Sequence, residues 1–232
     1  MAHTVFRTSS LPTYSWLQLG VCTLLFSLCA VASQAQLKDD HLLPAKGLLA
    51  GDPPQDTYYL KVQETLYVGL DLDPIARLVV LPSFQPEYVI SIDQKGNKYY
   101  LTYNQASKSI WSTTQAQSSS KVEAQAKSVE ISKEMATTVG MLFNTALDQV
   151  RYPEPVMRIT SDGTTYTFIA SRAGNGVRAG ETWSPDIKSK MSTLVAVAES
   201  LKERAATPTN QQLEQDLIQQ AKQLTTELRV EK

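Results

Sequence analysis

Apolar and polar positions alternate with a period of two along several stretches of this chain, and with a helical period along three others. From Tyr58 the even positions Leu60, Val62, Leu66, Val68, Leu70 and Leu72 are apolar, with Lys61, Gln63 and Asp71 between them. That alternation predicts two strands broken near Gln63-Glu64 and ended by Asp73-Pro74. Arg77 to Leu81 is a short apolar run closed by Pro82. Tyr88 to Tyr103 reads as a hairpin turning on Lys95-Gly96, pairing Ile92 with Tyr99, Ile90 with Leu101 and Tyr88 with Tyr103. Gln105 to Ser120 is rich in Ser, Thr and Gln around Ile110-Trp111 and reads as an exposed strand or loop. Lys121 to Ile131 alternates with one change of phase, the mark of a bulged strand.

Ser132 is placed to cap a helix whose apolar face is Met135, Val139, Leu142, Phe143, Ala146, Leu147 and Val150, stopped by Pro153 and Pro155. A hairpin over Val156 to Ala170 is expected next, because Asp162-Gly163 suits a two-residue turn. Its register pairs Thr160 with Thr165, Ile159 with Tyr166, Arg158 with Thr167 and Met157 with Phe168. After a glycine-bearing crossover loop, Ser184-Pro185-Asp186 reads as a helix start with Ile187, Met191, Leu194, Val195, Ala198 and Leu201 on its buried face. Past Pro208, Thr209 and Gln212 make a capping box for a Gln-rich helix striped by Leu213, Leu217, Ala221, Leu224 and Leu228. Fewer than three heptads favour folding back on the body over pairing with a partner helix. The expected class is α+β: a mainly antiparallel sheet built from hairpins, with two packed amphipathic helices and a peripheral C-terminal helix. The domain spans residues 57–206 and the last helix lies within 207–232.

The first 35 residues differ in kind. Arg7 precedes an apolar run from Leu17 to Ala32, and Ser33-Gln34-Ala35 has the small-x-small pattern of a signal-peptidase site, with Ala30-Val31-Ala32 as a rival cut. The segment reads as a cleaved secretory signal peptide; the alternative, an uncleaved anchor, is short for a span. Residues 36–56 then form an extended linker. Both cysteines, Cys22 and Cys29, lie in the apolar run, so an exported mature chain has no disulfide, thiolate metal site or cysteine nucleophile. The 22 Lys and Arg, less Arg7 of the leader, face 23 Asp and Glu with no basic block. Nucleic acid is therefore not an expected partner.

Candidate chemistry is sparse. Gly174-Asn-Gly176-Val-Arg-Ala-Gly180 lacks the spacing and the Lys-Ser/Thr of a phosphate loop. Even so, Arg172, Gly174, Gly176, Arg178 and Trp183 beside a helix start are the candidate binding residues, suited to an anion or carboxylate. With His41 the one histidine left after leader removal, a Ser-His-Asp arrangement is not expected. Ser118-Ser-Ser-Lys121 matches the S-x-x-K of Ser-Lys hydrolases inside a polar tract. Asp71 and Asp73 would share one strand face, where paired acids can hydrolyse glycosides or bind calcium. Tyr59 and Tyr100, if turned outward, suit sugar or protein contacts. No cofactor or metal motif is present. The residues favour an exported, non-enzymatic module that binds a protein or envelope component in the periplasm or outside the cell. The alternative is a carboxylate- or Ser-Lys-based hydrolase of envelope polymers or peptides.

Overall fold

The computed structural model describes residues 40–45, 57–116, 120–152 and 162–230. They form a seven-stranded antiparallel sheet and five helices, an α+β protein. In chain order the elements are β1 (Leu43–Pro44), α1 (Thr57–Leu66), β2 (Ala76–Pro82), β3 (Tyr88–Lys95), β4 (Lys98–Ala106), α2 (Ile110–Gln115), β5 (Ala124–Ile131), α3 (Lys133–Leu147), β6 (Thr164–Arg172), β7 (Gly176–Trp183), α4 (Lys190–Ala206) and α5 (Gln211–Arg229). The strand order is β1-β7-β6-β2-β3-β4-β5.

The sheet is covered on both faces. On one, Leu78, Ile90, Leu101 and Phe168 meet α3, α4 and α5 in a continuous apolar core. Phe143 of α3 meets Phe168 edge to face at 5.0 Å, an aromatic geometry that adds about 1 kcal/mol to the burial of the rings. On the other face Val79, Leu81, Val89 and Ile169 pack against Tyr58, Val62 and Leu66 of α1 and Ile110 of α2. Central strand β2 is apolar on both sides for this reason, which explains its unbroken run from Leu78 to Leu81.

α3 follows its sequence closely. The Ser132 hydroxyl accepts from the Met135 amide, and the predicted apolar face from Met135 to Leu147 is buried. α5 folds back onto α3 and α4 and contributes Leu217, Ile218, Ala221, Leu224 and Leu228 to the main core. Its cap is Asn210, whose Oδ1 accepts from Leu213, rather than Thr209. Between α4 and α5, Arg204 reaches Glu214 Oε2 at 2.8 Å while the Ser132 amide donates to Oε1 at 3.0 Å. Burial raises the Glu214 carboxyl's proton affinity, but the bonds from Ser132 and Arg204 outweigh it and leave the pKa below its ordinary value.

Several expectations are corrected. Thr57–Leu66 is a helix, not a strand: Tyr58, Val62 and Leu66 are buried at intervals of four, whereas Leu60 and Leu72, members of the alternating set, are 41% and 88% exposed. The β3–β4 turn is Gly96-Asn97, closing on Lys95 and Lys98, so Ile92 pairs with Leu101 and Ile90 with Tyr103. That shift of two residues keeps every side chain on its expected face. Ile110–Gln115 is a short helix capped by Ser109. β5 pairs with β4 one to one from Tyr99↔Ile131 to Ala106↔Ala124, without a bulge. Part of the expected linker, Leu43–Pro44, is a strand paired with β7.

The described pairings of β6 differ from those expected for a hairpin over Val156 to Ala170. Residues 153–161 lie outside the described residues, but both edges of β6 are taken: Phe168 is opposite Leu78 on β2 and Gly180 on β7. Ser184 is no helix cap; at φ 35° its hydroxyl accepts from the Thr164 amide at the open end of the β6–β7 hairpin. α4 starts later, capped by Ser189, whose hydroxyl accepts from Ser192, and Ile187 is left 94% exposed. Met191, Leu194, Val195, Ala198 and Leu201 are buried as expected.

Candidate functional site

The glycine segment expected as a crossover loop is a tight β-turn followed by a strand. β6 and β7 join through Ala173-Gly174-Asn175, with Gly174 and Gly176 at φ 81° and 69°, backbone angles that suit residues without a Cβ. Arg172 and Arg178 flank this turn on the face covered by α3, and both meet Asp148 at that helix's C-terminus. Arg172 Nη1 lies 3.0 Å and Arg178 Nη1 2.6 Å from Asp148 Oδ1, while Arg178 Nη2 donates to Asn144 Oδ1 at 2.7 Å. Burial raises the Asp148 proton affinity, but the bonds and charges of Arg178 and then Arg172 together outweigh it and hold the carboxyl below its usual value. Two cations at a helix C-terminus also complement the negative end of the dipole.

Trp183 is not part of that group. It lies at the other end of β7, opposite Thr165. Gly180 approaches Val150, Leu42 and Leu147 on the α3 side, whereas Val177 and Ala179 pack in the second core. Trp183 shares the parity of Val177 and Ala179, so its indole is on the opposite face, against Gly163. The structure thus brings Arg172, Gly174, Gly176 and Arg178 to one turn, where both arginines are engaged with Asp148.

The other candidates lie apart. Asp71 and Asp73 sit in an exposed loop after α1, where Asp71 Oδ1 accepts from the Asp73 amide at 3.2 Å. Lys121 is 83% exposed and paired with Glu123 at 3.1 Å; Ser118 lies outside the described residues. Among the described residues no cluster of three or more His, Cys, Asp or Glu is placed to hold a metal, and no helix is long and apolar enough to cross a membrane.

Two buried polar groups carried no sequence signal. Arg77 donates from Nε to Ser91 Oγ at 3.1 Å, lies 3.6 Å from Asp93 and stacks on Tyr67 at 4.6 Å. Burial pushes the Asp93 carboxyl up despite Arg77. Glu87, fully buried, accepts from the Ile110 and Trp111 amides at 2.7 and 2.8 Å and from Tyr58 OH at 3.0 Å, fixing α2 against α1. Both are hidden fastenings of the second face.

The most accessible feature of the sheet is its β5 edge. Eight residues pair with β4 on one side, and among the described residues no strand pairs with the other. Hydrogen bonds at the mouth of the ladder set its phase. The Ser107 amide donates to Glu123 O at 2.8 Å toward β5, and the Ala106 amide donates to Glu87 O at 2.9 Å toward β3. Carried along the unbroken register, odd-numbered β5 residues bond to β4. Ala124, Ala126, Ser128 and Glu130 therefore turn their N–H and C=O groups outward. The side chains from Gln125 to Ser128 are exposed, so solvent reaches this row.

Among the described residues the fold is an α+β sheet with one edge covered by β1 and the β5 edge unpaired. No family model, curated protein or solved structure matches the chain.

Proposed function

We propose that this chain is an exported, non-enzymatic binding module of the cell envelope or periplasm that takes an extended segment of a partner protein onto the β5 edge. The carrying observation is the unbulged eight-residue edge with outward N–H and C=O groups at Ala124, Ala126, Ser128 and Glu130. Such a row is a ready template for an added strand: main-chain hydrogen bonds supply affinity and alternate side chains supply selectivity. Export is supported by the leader-like first 35 residues. The hydrolase alternative has less behind it, because Asp71 and Asp73 lie in one exposed loop where Asp71 holds the Asp73 amide, and Lys121 lies in another exposed segment, paired with Glu123.

The test is a displayed library of linear ten-residue peptides selected on the chain from Gln36 onward, followed by amide exchange of the complex. Selected peptides should slow exchange at Ala124, Ala126, Ser128 and Glu130. Binding should be lost in Ala126→Pro, which removes an outward N–H and spares the ladder to β4. Protection confined to another surface, or binding untouched by Ala126→Pro in a variant with native circular dichroism, would overturn the reading.

A further inference from the structure

The β5 edge differs from one face to the other in charge and size, and that difference constrains what can pair with it. On the α3–α5 side the edge presents Gln125, Lys127 and Val129; on the other it presents Ala124, Ala126 and Ser128. Charges at its two ends are balanced: Lys121 pairs with Glu123 at 3.1 Å, and Glu130 pairs with Lys98 at 2.7 Å. Lys127 is exposed at mid-strand, and among the described residues no carboxylate lies within ion-pair distance of it. Because even-numbered residues bond outward, Lys127 would face the incoming strand across a non-hydrogen-bonded pair, where opposing side chains approach most closely. The small side chains of Ala124, Ala126 and Ser128 leave room on the other face for large apolar ones.

We propose that the partner segment is acidic on one face and apolar on the other: an extended strand that sets a carboxylate against Lys127 and bulky apolar residues over Ala126 and Ser128. This rests on strand addition at β5 and names the chemistry of the strand. Cross-strand charge pairs are selective rather than strong, so the backbone bonds hold the segment and Lys127 chooses it. The preference is an edge-exposed electrostatic one and weakens with salt.

Two capped eight-residue peptides test this, one alternating valine with glutamate and one alternating valine with lysine, titrated on the wild-type chain and on Lys127→Glu. The glutamate peptide should bind wild type roughly three- to tenfold tighter than the lysine peptide, and Lys127→Glu should reverse the order. A glutamate peptide N-methylated at every residue should not bind, since neither of its edges can then complete the ladder. Equal affinities, or a preference that Lys127→Glu leaves in place, would overturn the acidic partner while strand addition stands. Binding that survives N-methylation, or no binding by either peptide, would overturn strand addition and this inference with it.

Discussion

The two edges of the sheet are finished in opposite ways. On one side β1 is two residues long, Leu43–Pro44, and ends the sheet with a residue that has no amide to donate. It is also tied down: Leu42 is fully buried, its carbonyl accepts from the Arg151 amide at 3.0 Å, and Asp40 Oδ1 lies 3.5 Å from the Lys190 amide at the start of α4. On the other side β5 runs for eight residues with no proline and no bulge. Brevity and proline are among the usual protections of an edge strand; β5 has only scattered charge. Among the described residues one edge is closed and the longer one is not, and the proposed strand addition rests on that contrast.

The protected edge can be loosened from the β1 side. Leu42→Ala should cost about 3 kcal/mol, the usual loss for a fully buried leucine, read as a fall in the urea midpoint. Amides of β7 should exchange faster, because its outer edge loses its cover. Unchanged β7 protection would mean that β1 is incidental to that edge. Gly180→Ala should act more weakly by the same route. A Cβ there would lie 2.8 Å from Val150 Cγ2, 3.1 Å from Leu42 Cβ and 3.2 Å from Leu147 Cδ2, so overpacking by about 1–2 kcal/mol is expected. Neither change should alter peptide capture at β5, on the opposite edge of the sheet.

The smallest effect concerns the turn beside β7. The Asp148 pKa is depressed in the folded chain, so its contribution is present above the unfolded carboxylate pKa and fades as pH falls through the lower folded one. The side chain is 40% exposed, and solvent screening keeps the contribution below about 1 kcal/mol. Asp148→Asn should therefore lower the neutral value by less than about 1 kcal/mol, leave the value below the folded pKa unchanged, and so flatten the acid limb by that amount. An acid limb identical to wild type would show that Arg172 and Arg178 gain nothing from this carboxylate.

Much of the layout was legible along the chain. Ser132 and the periodic face behind it predicted α3 because cap and packing agree locally. The faces of β3 and β4 were also legible, but not their register. Polar against apolar sorts residues only modulo two, and the turn at Gly96-Asn97 chose among registers that all satisfy that sorting. α1 misled because Tyr58, Val62 and Leu66 satisfy both a period of two and a spacing of four, and contact with β2 and β3 selected the helix. For the candidate site, Arg172 and Arg178 do converge, whereas Trp183, on the same strand, is turned to the other face by the pleat.

The sequence by itself determined the alternation that makes a sheet, the apolar stripes that make its helices and the α+β class, since these depend on neighbours within a few residues. Tertiary structure alone decided which strands lie side by side. β6 joins β2 and β7, and among the described residues two residues of an unpatterned segment close one edge while β5 is left at the other. Strand order is a competition among edges of similar local propensity. It is resolved by how three helices can cover one face and two the other, a condition that no short stretch of sequence contains.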